Sequence, residues 1–284
     1  MLQHIPVIVT RFAPSPTGRL HLGHAYSALF SEKTARDSGG KLLLRIEDID
    51  FTRCKSEFEA GLLEDLEWLG IEWNGDIVRQ SERGGLYEEA LQKLDDLGLT
   101  YPCFCTRKEI LAEIERAGGA PHGPEGQIYP GTCRSLTAAE REARINRGDP
   151  FSLRLDVAKA KEMAGALDWE DAAKGTQIAN PALFGDFVIA RKDIGTSYHL
   201  AVTVDDALQG VTLVTRGRDL LEATHLHRLL QALLDLPVPR WHHHELIEDE
   251  SGKRLAKRDE SQTLASLRAE GVTAREILER LGFS

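Results

Sequence analysis

Cysteine is scarce in this chain, with four among 284 residues, at positions 54, 103, 105 and 133. That argues against a disulfide-built scaffold; in a reducing compartment, clustered cysteines point to metal first. Positive charge is also in deficit, 35 Lys and Arg against 45 Asp and Glu, for a net charge of -10. Such a balance argues against non-specific nucleic-acid binding, which runs on phosphate neutralisation, but leaves room for a local basic face. No run approaches the roughly 18 apolar residues of a membrane span. The opening residues MLQHIPVIVTRF carry no basic stretch ahead of a long apolar one. No signal peptide is therefore expected, and the cytoplasm is the expected compartment. No internal repeat is evident.

What is present is an ordinary globular composition, 42% apolar, long enough for one large domain or two modest ones. IPVIV at 5–9 reads as a short buried strand. A helix is predicted from Ala25 to Arg36, with Gly39 beyond its end, and LLLRIED at 42–48 reads as a second strand. Strand, glycine-bearing turn, helix and strand make a βαβ unit, hence an α/β fold with a parallel sheet. Phe58, Leu62, Leu66 and Leu69 predict a helix over 56–69. Ser81 is a suitable cap for another, striped by Leu86, Ala90, Leu94 and Leu97. From Tyr101 to about Ile194 the rhythm breaks. This stretch holds three cysteines, the segment GGAPHGPEGQIYPG and two capping-box pairs, Thr106 with Glu109 and Thr137 with Glu140. It reads as an insertion. SYHLAVTVDD and VTLVTR then read as strands, 219–236 as a helix stopped by Pro237, and the C-terminus as two short helices, the second capped by Thr273. The expected organisation is 1–100 and 195–240 as two halves of one α/β domain, 101–194 as the insertion, and 241–284 as a C-terminal region.

The turn after the first strand, RFAPSPTGRLHLGH at 11–24, carries His21, Gly23 and His24. In a βαβ unit a helix N-terminus there points free N–H groups at an anion. Gly23 lets the backbone approach, and the imidazoles can donate to phosphate oxygens. Far downstream, GKRLAKR places Lys253, Arg254, Lys257 and Arg258 in a polar loop. Together the two segments suit a triphosphate gripped from both sides. Separately, Cys103, Cys105 and Cys133 supply three thiolates where a structural metal takes four ligands. Tyr129 is the unusual fourth ligand and His122 the ordinary one. Cys54 reads as a lone packing residue.

These segments resemble the glutamyl type of class I aminoacyl-tRNA synthetase. HLGH with the lead RFAPSPTG matches the family's H-x-G-H signature, and RLAKR at 254–258 matches its K-M-S-K-S. LLRIEDID at 43–50 and VTRGRDLLEATHLHRLL at 214–230 are similar too. The resemblance implies a Rossmann-type sheet with a zinc-bearing insertion and a short helical C-terminal region. It implies ATP, with Mg2+, bound by His21, Gly23, His24, Arg254 and Lys257, with His21, His24 and Lys257 stabilising the reacting phosphorus. It implies L-glutamate held by Arg11, Phe12, Ala13, Pro14, Ser15, Glu47, Tyr198 and Arg216. Arginines for carboxylates and an acid for the ammonium are what such a substrate needs. Arg254 and Ala256 depart from the signature, while Lys257 is retained.

The short glutamyl-queuosine tRNA(Asp) synthetase family carries C-x-C followed by Y-x-x-x-C in the insertion. That resemblance implies Zn2+ on Cys103, Cys105, Tyr129 and Cys133. With about 26 residues after the second signature, no anticodon-binding region of the usual kind, on the order of 100 residues, is expected. The resemblance therefore implies a monomer that activates glutamate without tRNA and transfers it to queuosine at the wobble position of tRNA(Asp). A truncated synthetase charging a 3′ end and a non-enzymatic RNA-binding relative are the alternatives. Lys257→Ala is expected to cut glutamate-dependent ATP–pyrophosphate exchange roughly ten- to a hundred-fold, about 1.4–3 kcal/mol of transition-state stabilisation. Unchanged exchange would remove Lys257 from the mechanism.

Overall fold

The computed structural model describes residues 7–116, 122–247 and 262–283. Strand β1 is Val9–Phe12, later than the expected 5–9, of which residues 5 and 6 lie outside the described residues. Pairing fixes it there: β1 runs parallel to β2 (Lys41–Ile46) in register from Val9 with Lys41 to Phe12 with Leu44. Helix α1 (Leu22–Asp37) starts three residues before the expected Ala25. His21 caps it, its Nδ1 accepting the Gly23 N–H at 3.1 Å, while His24 Nδ1 accepts the His21 N–H at 3.2 Å. Histidine is not among the usual capping residues, so this start carries no ordinary signal. Helix α2 (Ser56–Trp68) matches its apolar stripe and is closed by Gly70 at φ 73°.

Strand β3 (Val78–Arg79) adds to β2, again parallel. Ser81 does not cap the next helix. Its N–H and hydroxyl both donate to Asp48, at 2.8 and 2.6 Å, and α3 (Gly84–Asp96) begins after a single 3-10 turn. The following segment holds β4 (Thr100–Cys103), α4 (Arg107–Arg116), β5 (His122–Gly123), β6 (Gly126–Gln127), α5 (Ala138–Asn146) and β7 (Ser152–Leu155). It continues through α6 (Val157–Ala164), β8 (Asp168–Asp171), β9 (Gly175–Ile178) and β10 (Val188–Ala190). Strands β4 and β10 flank β7 in an antiparallel sheet. Both predicted capping boxes form: Glu109 and Glu140 each accept the backbone N–H of the threonine three residues earlier, at 2.7 Å.

SYHLAVTVDD is not a strand. It forms α7 (Tyr198–Leu208), started by Ser197, whose hydroxyl accepts the Leu200 N–H. His199 to Asp206 are all buried, so the helix shows no alternation of apolar and polar faces, and its β-branched residues mimic a buried strand. Strand β11 (Leu213–Gly217) agrees with the predicted VTLVTR. The predicted helix over 219–236 shortens to α8 (Ala223–Leu234), ended by Asp235 in the left-handed region. Strand β12 (Arg240–His244) was not anticipated; it runs parallel to β11. The two C-terminal helices are α9 (Leu264–Ala269) and α10 (Ala274–Leu281), the latter capped by Thr273 as expected.

β3, β2 and β1 form one parallel sheet, and β11, β12 and β8 another that ends in the hairpin strand β9. The two meet where Thr212 donates its N–H to the Val9 carbonyl at 3.0 Å. Helices α1, α2, α9 and α10 share one apolar core with β1 and β2, centred on residues such as Ala25, Leu44, Leu66, Leu264 and Ile277. A second core joins α3, α6, α7 and α8. Between them lies a buried carboxylate. Asp205 on α7 accepts from Gln80 (2.8 Å), Arg83 (2.7 Å) and Tyr87 (2.8 Å), with Arg45 Nε 3.9 Å away. Removing it strands several buried donors at once. Asp205→Ala is expected to lower folding stability by about 3–5 kcal/mol. Urea denaturation measures this, and an unchanged midpoint would refute the role.

Candidate active site and cysteine cluster

The parallel strands end in a cleft of about 620 Å³. It is lined by Arg11, Phe12, Ala13, Pro14 and Ser15 from the end of β1 and the turn after it, and by His21, Gly23 and His24 from the start of α1. Glu47 beyond β2, Tyr198 at the start of α7 and Arg216 on β11 complete the expected set. Residues separated by some 200 positions thus share one wall. The placement follows the rule that open parallel sheets bind ligands at the carboxyl ends of their strands. Arg254 and Lys257 lie outside the described residues. The chain on both sides of them does reach the site: Leu246 and Ile247 line the cleft, and Thr263 bridges to His21.

The charges under the cleft are paired unequally. Asp206 on α7, absent from the sequence-based site, accepts from Arg11 Nε at 3.0 Å and from Arg45 at 2.9 Å. Arg45 also reaches Glu47 at 3.2 Å, so the ion pair at this strand end exists and faces the cleft at once. Burial alone would strip charge from Arg45, but Asp206, Glu47 and Asp205 outweigh it and raise its pKa. Burial also pushes the Glu47 carboxyl up, against Arg45 and Arg11. Asp206 resists its own burial because the same two arginines hold it below the usual carboxylate range.

Arg216 differs. It donates to His243 (3.1 Å), His227 (3.2 Å) and Thr224 (2.7 Å), and among the described residues no carboxylate lies within ion-pairing distance of it. Burial lowers its pKa. A buried guanidinium on neutral partners, at the edge of a cleft, is complementary to an incoming carboxylate. His227, His243 and Thr224 were not singled out from sequence. The run HHH at 242–244 was the available signal, but nothing in it tells which ring faces inward.

Three of the four cysteines converge. The Sγ atoms of Cys103, Cys105 and Cys133 all lie within 4.8 Å of one another. Tyr129 Oη sits 3.4 Å from Cys103 Sγ and 3.7 Å from Cys105 Sγ, and Cys105 and Cys133 Sγ are 3.4 Å apart. Four ligands at roughly 2.0–2.3 Å on a tetrahedron stand about 3.3–3.8 Å from each other. The donor set therefore fits a tetrahedral metal. Backbone N–H groups of Phe104 and Cys133 point at Cys133 Sγ (3.4 Å) and Tyr129 Oη (2.8 Å), which suits anionic ligands. Gly131 at φ 85° supplies the turn between Tyr129 and Cys133. His122 is exposed on β5 and is not part of this group. Cys54 stands apart, half-buried, its Sγ 3.8 Å from the Glu47 carbonyl.

Fold and site define a class I aminoacyl-tRNA synthetase catalytic domain. The chain belongs to the family described as tRNA synthetases class I (E and Q), catalytic domain, which matches residues 7–284. It is 49% identical over 280 residues to the Glutamyl-Q tRNA(Asp) synthetase of Rhodobacter capsulatus, covering 97% of this chain and 100% of that protein. It is 43% identical over 266 residues to a Glutamate–tRNA ligase of Aquifex aeolicus, covering 93% of this chain and 54% of that protein. The crystal structure of a glutamate-tRNA synthetase from Elizabethkingia anophelis superposes with a TM-score of 0.76 at 30% identity, over 89% of this chain and 53% of that one. The chain spans about half the length of the solved synthetase chains it matches. No helix among the described residues is long and apolar enough to cross a membrane. Cys105→Ser is expected to lower metal content and melting temperature together. Elemental analysis of the purified variant checks this; full metal occupancy would remove Cys105 from the ligand set.

Proposed function

We propose that the protein activates L-glutamate with ATP, without needing tRNA, and transfers the glutamyl group to the queuosine base at the wobble position of tRNA(Asp). One observation carries the reading: the 49% identity to a Glutamyl-Q tRNA(Asp) synthetase runs over nearly the whole of both chains. The cleft supports it by gathering the H-x-G-H histidines and the expected glutamate contacts on one wall.

The chemistry follows from the site. An oxygen of the glutamate α-carboxylate attacks the α-phosphorus of ATP, the bond to the bridging oxygen breaks, and pyrophosphate leaves; Mg2+, when bound with ATP, would neutralise charge on the departing phosphates. Because His21 and His24 accept hydrogen bonds at Nδ1, their neutral rings carry the proton on Nε2, as donors for phosphate oxygens. Lys257 and Arg254 supply charge from the second signature, whose flanking residues reach this wall. Arg216 pairs with the side-chain carboxylate and Glu47 with the ammonium. Arg11 to Ser15 and Tyr198 bound the amino-acid pocket. A hydroxyl of the acceptor then attacks the acyl carbon, loses its proton, and AMP departs.

Zn2+ is the metal this reading assigns to Cys103, Cys105, Tyr129 and Cys133, where it cross-links the insertion and takes no part in the chemistry. We read residues 101–194 as that insertion, 1–100 and 195–240 as one catalytic body, and 241–284 as the region carrying the second signature. The working form is a cytoplasmic monomer.

Glutamate-dependent ATP–pyrophosphate exchange is expected in the complete absence of tRNA. Labelled glutamate is then expected to attach to tRNA(Asp) lacking its 3′-terminal adenosine, and not to tRNA(Asp) lacking queuosine. The opposite acceptor pattern would assign the enzyme to 3′-end charging.

A further inference from the structure

Arg216 donates to three uncharged acceptors, and the identity of those acceptors has consequences for two carboxylates farther away. A guanidinium has no acceptor atom, so each imidazole nitrogen facing it must present a lone pair. In a neutral imidazole the proton then sits on the other nitrogen. For His243, Nε2 faces Arg216 Nε at 3.1 Å, which puts the proton on Nδ1, 2.7 Å from Asp171 Oδ2. For His227, Nδ1 faces Arg216, which puts the proton on Nε2, 3.2 Å from His199 Nδ1. His199 must accept there, so its own proton lies on Nε2, 3.0 Å from Glu125 Oε1.

Two hydrogen-bond chains therefore leave Arg216 in a fixed sense, one through His243 to Asp171, the other through His227 and His199 to Glu125. Each ends on a carboxylate, and neither brings a carboxylate into contact with the guanidinium. The Asp171 end is rigid: its side chain and that of His243 are fully buried, and its second oxygen accepts from the N–H groups of Ala173 and Lys174 at 2.9 and 3.1 Å. Asp171 lies on β8, paired to β12 through Trp241, so the strand pairing itself sets the distance. Burial, reinforced by Arg216, drives the His243 pKa down to about 4 and that of His227 well below its ordinary value, which keeps both rings neutral.

We propose that Asp171, His243, His227 and His199 are positioning residues that hold Arg216 in one orientation and leave its charge uncompensated at short range, so that the site selects a carboxylate over a carboxamide. The proposal rests on the reading of Arg216 as a glutamate contact. A contact carboxylate, of the kind Asp206 supplies to Arg11, would already satisfy the cation; a neutral imidazole orients it without competing with substrate. Glutamine cannot supply the missing charge.

Asp171→Asn tests this with little change of shape. The carboxamide presents an N–H to His243, the ring must accept at Nδ1, and its proton moves to Nε2, against Arg216. In pyrophosphate exchange the KM for glutamate is expected to rise roughly tenfold or more, with the KM for ATP unchanged and the preference for glutamate over glutamine falling by a similar factor. His243→Gln, whose amide can accept from Arg216 and donate to Asp171, is expected to keep glutamate affinity that His243→Leu loses. A folded Asp171→Asn enzyme with unaltered KM for glutamate would overturn the proposal. Nitrogen-15 NMR of the wild-type imidazoles decides the matter independently of any variant's folding. The expected tautomers are Nδ1–H for His243 and Nε2–H for His227 and His199; any other assignment overturns the chains whatever the substrate. If the tautomers are as expected but the wild type shows no glutamate-dependent exchange, the reading of the cleft has failed, and the selective role falls with it.

Discussion

Asp206 joins two arginines that no local structure would bring together. Arg11 ends a strand at the front of the chain, Arg45 ends the neighbouring strand, and the carboxylate that meets both comes from a helix more than 160 residues on. Without it, two guanidinium groups would face each other in a buried space at a high electrostatic cost. With it, β1, β2 and α7 are locked at one height, and that height places the end of β1, Glu47 and Tyr198 around the same cleft. Asp205, the adjacent residue, also lies near Arg45 and ties α7 to α3 and the turn before it through Gln80, Arg83 and Tyr87. Two consecutive acids thus anchor one helix to both halves of the fold.

The cleft is asymmetric for a physical reason. On the side of Arg11 and Arg45 the charge is balanced within hydrogen-bond distance. On the side of Arg216 it is not, and the surrounding imidazoles and the Thr224 hydroxyl orient the guanidinium without neutralising it. The unbalanced side is complementary to an incoming negative charge, and the balanced side is not. His21 and His24, turned by their capping hydrogen bonds at the head of α1, stand on the same wall. Their helix N-terminus contributes partial positive charge in the same direction.

The cysteine cluster belongs to a different level of the design. It holds Tyr101, Phe104 and Tyr129 in a small core of its own. Arg154, 3.8 Å above the Tyr129 ring, donates to the Asp186 carbonyl and so couples that core to the chain leading into β10. A core of so few apolar residues gains little stability from burial, and the four converging donor atoms within it are of a kind that can hold a structural metal. Farther along the chain, Asp171 on β8 is linked through His243 to Arg216 at the cleft.

Much of this was legible in the linear chain. The glycine-bearing turn at 11–24, the C-x-C and Y-x-x-x-C spacing, the apolar stripe of α2 and the capping boxes are local patterns, and local geometry follows from them directly, whereas in the α3 stripe Leu97 is exposed and Tyr87 is buried instead. The fully buried α7 reads as a strand in the sequence because a helix covered on all sides has no face to reveal its period. Helix α1 began early because a histidine pair did the work usually left to Ser, Thr, Asp or Asn. Asp171, Asp206, His199, His227 and His243 were invisible as site residues, since each gains its meaning from a partner tens to nearly two hundred positions away. Sequence alone determined which chemical groups this protein carries and which short turns present them. Only the tertiary structure decided which charges meet a counter-charge and which are left for a ligand, because Coulomb energy depends on distance and burial in space rather than on separation along the chain.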